Sequence, residues 1–152
     1  MMKREDILIS FIHTPTDGKP NQPIDPIRIM KGLFLLKMEM GDKLSEFYNF
    51  EPYLYGPCSF EVYEDIEKLI SERMLDKLKL ESFHSWDHYR LTRMGEKRAD
   101  EISKKMVDLQ TKIKEIKKLV VSMEFMDLLR YVYKKYPDYA KLSIIAMEGV
   151  NK

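Results

Sequence analysis

Apolar residues recur every three or four positions along much of the chain, which is the spacing of an amphipathic α-helix. The pattern predicts a short first helix over residues 3–12 and a second over 27–40, with Asp25 as its cap and Pro26 at its first position. Apolar residues surround most of the second helix, so we expect it to lie in the middle of the fold. A third helix is predicted over 60–74.

Two short stretches alternate apolar and polar residues, which predicts a β-hairpin rather than a helix. The first stretch contains Leu78 and Leu80, and the second contains Tyr89 and Leu91. The loop that joins them is predicted at about residues 83–87.

A further extended segment is predicted over residues 47–55, where aromatic residues are frequent. Gly56 and Pro57 are expected to form a turn after it, and Ser59 to cap the third helix. Cys58 lies between them and is expected to be a buried thiol rather than a nucleophile, because only a nearby helix start could lower its pKa.

The second half of the chain carries the longest apolar seam, which predicts one long helix from about Thr92 to Val121. A following helix is predicted over 123–136, with Ser122 as its cap. Because a small helical core cannot cover the whole seam, we expect the 123–136 helix to cover it, from the same chain or exchanged in a homodimer. Six seam residues are the predicted oligomerisation contacts: Ile102, Met106, Leu109, Ile113, Ile116 and Val120.

Composition excludes several classes of protein. The 152 residues are 44% apolar, which is enough for one domain with a core of its own. The longest apolar run, residues 32–36, is too short to span a bilayer, so no membrane partner is expected. Acidic residues follow directly after the first bases, which argues against a signal peptide. A single cysteine excludes an intramolecular disulfide and favours a reducing, cytoplasmic location.

The predicted order of elements (helix, helix, extended segment, helix, hairpin) is that of a winged helix-turn-helix. The runs Tyr-Leu-Tyr-Gly-Pro-Cys-Ser at 53–59 and Tyr-Arg-Leu-Thr-Arg-Met-Gly at 89–95 resemble a winged-helix group of microbial proteins related to YwgA. The Tyr-Gly-Pro turn is similar to the Panacea domain of antitoxins, and the Tyr-x-Leu-Thr-x-x-Gly exit is similar to PadR-type regulators. The resemblance covers roughly residues 27–95 and implies a non-enzymatic module.

The predicted fold class is therefore mainly α with a small β-hairpin: a winged helix-turn-helix with a long helical C-terminal extension. The expected domains are a winged-helix unit over 1–95, with a surface loop at 13–25, and a helical extension over 96–152. The extension is expected to pack on this unit or on a partner chain.

The leading functional hypothesis is a DNA-associated transcriptional regulator, because this architecture most often binds double-stranded DNA and residues 76–152 carry a net charge of +5. Four bases on the wing and its exit are the predicted DNA contacts: Lys77, Lys79, Arg90 and Arg93. The third helix argues against groove insertion, because residues 61–75 carry a net charge of −3 and would repel phosphates.

The alternative is a protein-interaction module of the antitoxin or adaptor type, favoured by that acidic helix and by aromatic side chains. Seven residues are the candidate partner contacts: Tyr53, Tyr55, Phe83, Trp86, Glu61, Glu64 and Asp65.

Little in the sequence points to catalysis or to a cofactor. His84 and His88 are four apart, but they fall in a predicted hairpin loop rather than on a helix, so no zinc site is expected. A glycine-rich phosphate loop and a Ser-His-Asp or paired-carboxylate signature are absent from the sequence.

Overall fold

The computed structural model describes residues 3–44, 46–79 and 87–145, which form a mainly helical fold with two small antiparallel hairpins. The helices are α1 (Arg4–His13), α2 (Pro26–Met40), α3 (Phe60–Ser71), α4 (Arg93–Ser103), α5 (Val107–Ser122) and α6 (Phe125–Lys135). The strands are β1 (Glu51–Tyr53), β2 (Gly56–Cys58), β3 (Leu75–Lys79) and β4 (Asp87–Leu91). Short 3₁₀ turns follow α2 at Gly41–Lys43 and α6 at Pro137–Ala140. No helix among the described residues is long and apolar enough to cross a membrane.

The central position predicted for α2 is confirmed, since every residue from Ile29 to Leu36 is buried. Its start is also as predicted, because the Asp25 carboxylate accepts a hydrogen bond of 3.1 Å from the backbone N–H of Arg28. Helix α1 packs closely on α2 where Gly32 faces the ring of Phe11: a Cβ at position 32 would lie 2.2 Å from the ring carbon Cζ.

The single long helix predicted from Thr92 to Val121 is wrong. The chain forms α4 and α5 instead, with a break around Met106, whose backbone (φ −126°, ψ 37°) is not helical. The apolar period did not show this break because Ile102, before the break, and Met106, within it, are both buried. Thr92 does cap α4, accepting a hydrogen bond of 3.1 Å from the N–H of Gly95.

The seam is covered by α1 and α2 of the same chain, not by the 123–136 helix as expected. Two ion pairs also join these helices. Arg98 of α4 pairs with Asp6 of α1 at 2.9 Å, and Lys112 of α5 pairs with Glu39 of α2 at 3.0 Å. Of the predicted oligomerisation contacts, Leu109 is half-buried and the other five are buried: Ile102, Met106, Ile113, Ile116 and Val120. A second copy of the chain cannot reach those five in this conformation.

The region around Gly56 differs in detail from the prediction. Leu54 and Tyr55 form the turn, and Gly56 and Pro57 belong to the strand β2. Ser59 stands at the N-cap of α3, but its side chain makes no capping bond, and the buried hydroxyl has no hydrogen-bond partner among the described residues.

Helix α6 begins at Phe125 behind Glu124, so the expected cap at Ser122 is also wrong. In the last described segment, Leu142 and Ile144 are exposed. This segment fixes the β1–β2 turn, since the Ile144 N–H donates a hydrogen bond of 2.9 Å to the carbonyl of Leu54.

The predicted β3–β4 hairpin is confirmed, with Leu75 opposite Leu91 and Lys79 opposite Asp87. Leu75 and Leu91 are both buried, and they anchor the hairpin to the core. Its tip, including Phe83 and Trp86, lies outside the described residues.

Candidate functional site

A cavity of about 250 Å³ opens between α2, the β1–β2 hairpin and α3, and its surface is mostly apolar. The sequence pattern singled out several of its lining residues but did not indicate a pocket here. The lining residues are Pro26, Ile27, Met30, Lys31, Tyr53, Leu54, Tyr55, Gly56, Cys58 and Tyr63. We call it the aromatic pocket.

The hairpin wall of the aromatic pocket is held from behind by α6. Gly56 has a positive φ of 92°, and a Cβ there would lie 2.7 Å from the ring of Tyr133, so the strand fits only with glycine. The ring of Tyr55 packs edge-on against Phe125, with the centroids 5.7 Å apart. Tyr55, a predicted partner contact, is therefore half-buried, and it supports the pocket wall rather than projecting outward.

Among the described residues that line the pocket, Lys31 is the only charged one, and it is 2% exposed. Its ammonium donates one hydrogen bond of 3.0 Å, to the carbonyl of Pro57. Burial lowers the pKa of Lys31 to about 8, because desolvation disfavours the charged form. The sequence signal for this residue was a single lysine within an otherwise apolar stretch of α2.

Two other groups in the lining are acids that stay neutral near pH 7. Burial raises the pKa of the Cys58 thiol above its ordinary value, and this thiol is buried as expected. Burial likewise raises the pKa of Tyr63. Neither group therefore supplies a negative charge to balance Lys31.

The rim of the aromatic pocket is formed by exposed apolar side chains, which we call the aromatic surface: Tyr53, Leu54, Phe60 and Tyr63. Their exposed fractions lie between 38% and 46%. The rings of Tyr53 and Phe60 meet edge-to-face at 5.2 Å, so the strand and helix contributions are continuous. Tyr53 was a predicted partner contact, whereas Phe60 and Tyr63 were not predicted from the sequence.

The exposed stripe of α3 continues from this surface into acidic side chains. Phe60 and Tyr63 are followed by Glu64 and Glu67 at helical spacing, and all four are exposed. Glu64 is therefore accessible, as predicted. Lys68, four residues after Glu64, is also exposed, but its ammonium pairs with Glu5 of α1 at 2.6 Å.

The other two acidic candidates on α3 are engaged within the chain. Asp65 was expected on the outer face, but it is buried, and it accepts hydrogen bonds from Tyr48 Oη at 2.7 Å and Arg4 Nε at 3.0 Å. Arg4 also pairs with Glu61 at 2.8 Å. A backbone hydrogen bond from Asn49 and this pair with Arg4 lower the pKa of Glu61. These contacts tie α3 to α1 and leave little of either charge for a partner.

The predicted DNA contacts are exposed, but the hairpin does not bring them together. Lys77 and Lys79 lie on one face of β3, while Arg90 lies opposite Asp76, on the other face. Lys77 also lies 3.9 Å from the carboxylate of Asp87. Arg93 is the first residue of α4.

Within the described ranges, no three His, Cys, Asp or Glu side chains are grouped so that they could hold a metal ion. His84 lies outside those ranges. Comparisons with known proteins found no matching family model and no matching curated protein.

Proposed function

We propose that this chain is a protein-interaction module, of the adaptor or antitoxin type, that binds a partner polypeptide through the aromatic surface. The observation that carries the proposal is the continuity of four exposed apolar side chains around an apolar cavity. Exposed apolar surface of this kind usually marks a contact site, and aromatic side chains contribute most to such interfaces. In this proposal α2, α3 and the β3–β4 hairpin form a winged-helix core, and α4 to α6 are its extension.

The charges beside the aromatic surface define the partner. Glu64 and Glu67 continue the exposed stripe of α3, and Glu51 is exposed on β1. Complementary charges guide association and exclude wrong partners. The partner segment therefore carries a large apolar side chain for the pocket and basic residues beside it.

Nucleic acid fits this surface less well than a polypeptide does. The outer face of α3, which enters the major groove in winged-helix proteins, carries carboxylates that repel phosphates. The bases of the wing lie on two faces of the hairpin, so a duplex that approaches from one side meets only some of them. DNA binding by Lys77, Lys79, Arg90 and Arg93 stays a prediction.

The test is selection from a random peptide library, with the purified chain as bait. Enriched peptides should contain an aromatic or large aliphatic residue beside Lys or Arg. The Phe60→Ser variant should lose at least about tenfold in affinity for them, because the substitution removes the most exposed ring of the aromatic surface.

The matched control is Val107→Ser, which removes an exposed apolar side chain from the start of α5, away from the pocket. It should bind the selected peptides as the wild type does. Failure to enrich any peptide, or equal loss of binding in both variants, would overturn the proposal.

A further inference from the structure

We propose that the aromatic pocket receives the C-terminal residue of the partner polypeptide, with its carboxylate beside Lys31 and its apolar side chain against the pocket wall. This inference rests on the proposed function and specifies which part of the partner the module binds. Three observations support it: the unbalanced charge of Lys31, the size of the cavity, and the extent of the aromatic surface beyond it.

The charge of Lys31 has no acidic counterpart in the described part of the chain. An ammonium group has three donors, and the carbonyl of Pro57 accepts from one of them. No ion pair with a carboxylate joins it there, in contrast to Arg4, Arg98 and Lys112. A buried charge without a partner costs free energy. A carboxylate that pairs with Lys31 removes this cost, which favours binding of the ligand that carries it.

The titratable groups that line the pocket beside Lys31 are a thiol and three phenols, with no carboxylate among the described lining residues. They are the Cys58 thiol on β2, the phenols of Tyr53 and Tyr55 on the hairpin, and the phenol of Tyr63 on α3. Outside the lining, the carboxylate of Glu51 acts electrostatically on Cys58. At pH 7 Lys31 is mostly protonated, because its pKa is about 8.

The volume of the cavity limits what can enter. About 250 Å³ is below the range of roughly 300–1,000 Å³ that is usual for drug-sized ligands, and it suits one large apolar side chain with its carboxylate. A free organic acid of that size would leave Phe60 uncovered, since Phe60 lies on the rim and not in the lining. The residues that precede a C-terminus would cover it.

The experiment compares two synthetic peptides on the same protein. One is the N-acetylated pentapeptide Lys-Lys-Gly-Ser-Phe with a free C-terminal carboxylate, and the other is the same peptide with a C-terminal amide. Calorimetric titration should show the acid binding at least about tenfold tighter than the amide, the size expected for a desolvated charge pair. The preference should decline above about pH 8, as Lys31 loses its proton.

The variants are Lys31→Met and, as the control, Lys37→Met. Lys37 also lies on α2 and donates to a backbone carbonyl, that of Tyr48 at 2.7 Å, but it does not line the pocket. Lys31→Met should bind acid and amide equally, and Lys37→Met should keep the preference. The pH dependence is measured on the wild type, so it tests the role of Lys31 even where a variant folds poorly.

Two outcomes would overturn this inference and leave the proposed function intact. Equal affinity for acid and amide, together with library peptides that bind through internal residues, would show that no terminal carboxylate is recognised. Binding of 3-phenylpropionate as tight as that of the acid peptide would assign the pocket to a small organic acid. If no library peptide binds at all, the proposed function itself fails.

Discussion

Five charged side chains are buried among the described residues, and three of them (Asp65, Lys117 and Lys31) have different sets of partners. Asp65 is held by Arg4 and Tyr48, and Lys117 by two carbonyls at the end of α1. Lys31 has one carbonyl. Because a buried polar group must be satisfied to be tolerated, Asp65 and Lys117 act as fixed joints between elements, while Lys31 keeps capacity for a ligand.

The joint at Asp65 predicts a selective loss of stability. Asp65→Asn keeps the shape of the side chain but removes the charge that pairs with Arg4, so we expect the free energy of unfolding to fall by about 2–4 kcal/mol. Glu64→Gln, one residue away and exposed, should change it by no more than about 0.5 kcal/mol. Urea denaturation measures both, and equal effects would show that Asp65 is not a buried joint.

The buried lysines predict that stability rises with pH. Desolvation lowers the pKa of Lys117 to about 7, while its value in the unfolded chain is 10.5. Between these values the unfolded chain binds the proton and the folded chain does not, so the free energy of unfolding should increase by up to about 1.4 kcal/mol per pH unit. Lys31 adds to this from about pH 8.

Tyrosine ionisation limits this rise. Burial raises the pKa of Tyr89 to about 12, so above about pH 10 the unfolded chain loses phenol protons first and stability falls.

Denaturation of wild type and Lys117→Met from pH 6 to pH 10 tests the predicted effect of Lys117 on stability. The variant should be destabilised, because the carbonyls of Ile12 and Thr14 lose their donor, and its pH dependence should be flatter. A variant with the slope of the wild type would contradict the assignment.

At the scale of the elements, the packing depends on one close helix contact and one interruption. Gly32 lets α1 and α2 approach at Phe11. The break around Met106 separates α4, which packs on α1, from α5, which packs on both α1 and α2. Together they allow α1 and α2 to cover the seam on α4 and α5.

The close contact predicts a coupled pair of substitutions. Gly32→Ala should lower the free energy of unfolding by about 1–3 kcal/mol, because its Cβ would overlap the ring of Phe11. Phe11→Leu removes that ring, so the double variant should be more stable than the sum of the two single effects predicts. A double-mutant cycle by urea denaturation decides this, and strictly additive losses would show that another neighbour restrains position 32.

The whole molecule has a net charge of only +1, but its acidic and basic side chains lie on different parts of the surface. The carboxylates of α3 lie beside the aromatic surface, and the bases of the hairpin lie on two faces. The apolar seam is enclosed by the chain itself, which removes the original reason to expect a homodimer. The aromatic surface is a contiguous apolar area that stays exposed.

This charge distribution predicts weak, salt-sensitive contact with DNA. A labelled duplex should bind poorly and be released between about 50 and 200 mM salt, since only phosphate contacts are available. The Glu64→Gln and Glu67→Gln double variant should bind more tightly, because it removes repulsion without disturbing Asp65. Sequence-specific binding that survives the higher salt would instead favour the transcriptional regulator.

Several features followed from the sequence because they depend on neighbours along the chain. Asp25 and Pro26 predicted the start of α2, Thr92 the cap of α4, and the alternation from Leu78 to Leu91 the β3–β4 hairpin. A capping bond or a cross-strand alternation involves residues a few positions apart, so its signal survives without knowledge of the fold.

Other features were decided only when helix faces met in three dimensions. Asp65 and Glu64 are adjacent acids on one helix, and the position of Arg4 and Tyr48 determines that one is buried and the other exposed. Lys31 became part of a pocket because the β1–β2 hairpin folds over α2, and the seam was covered by α1 and α2 because α4 and α5 separate at Met106. Composition and periodicity indicate that one face of a helix is buried. Only the tertiary contacts determine which other element covers that face.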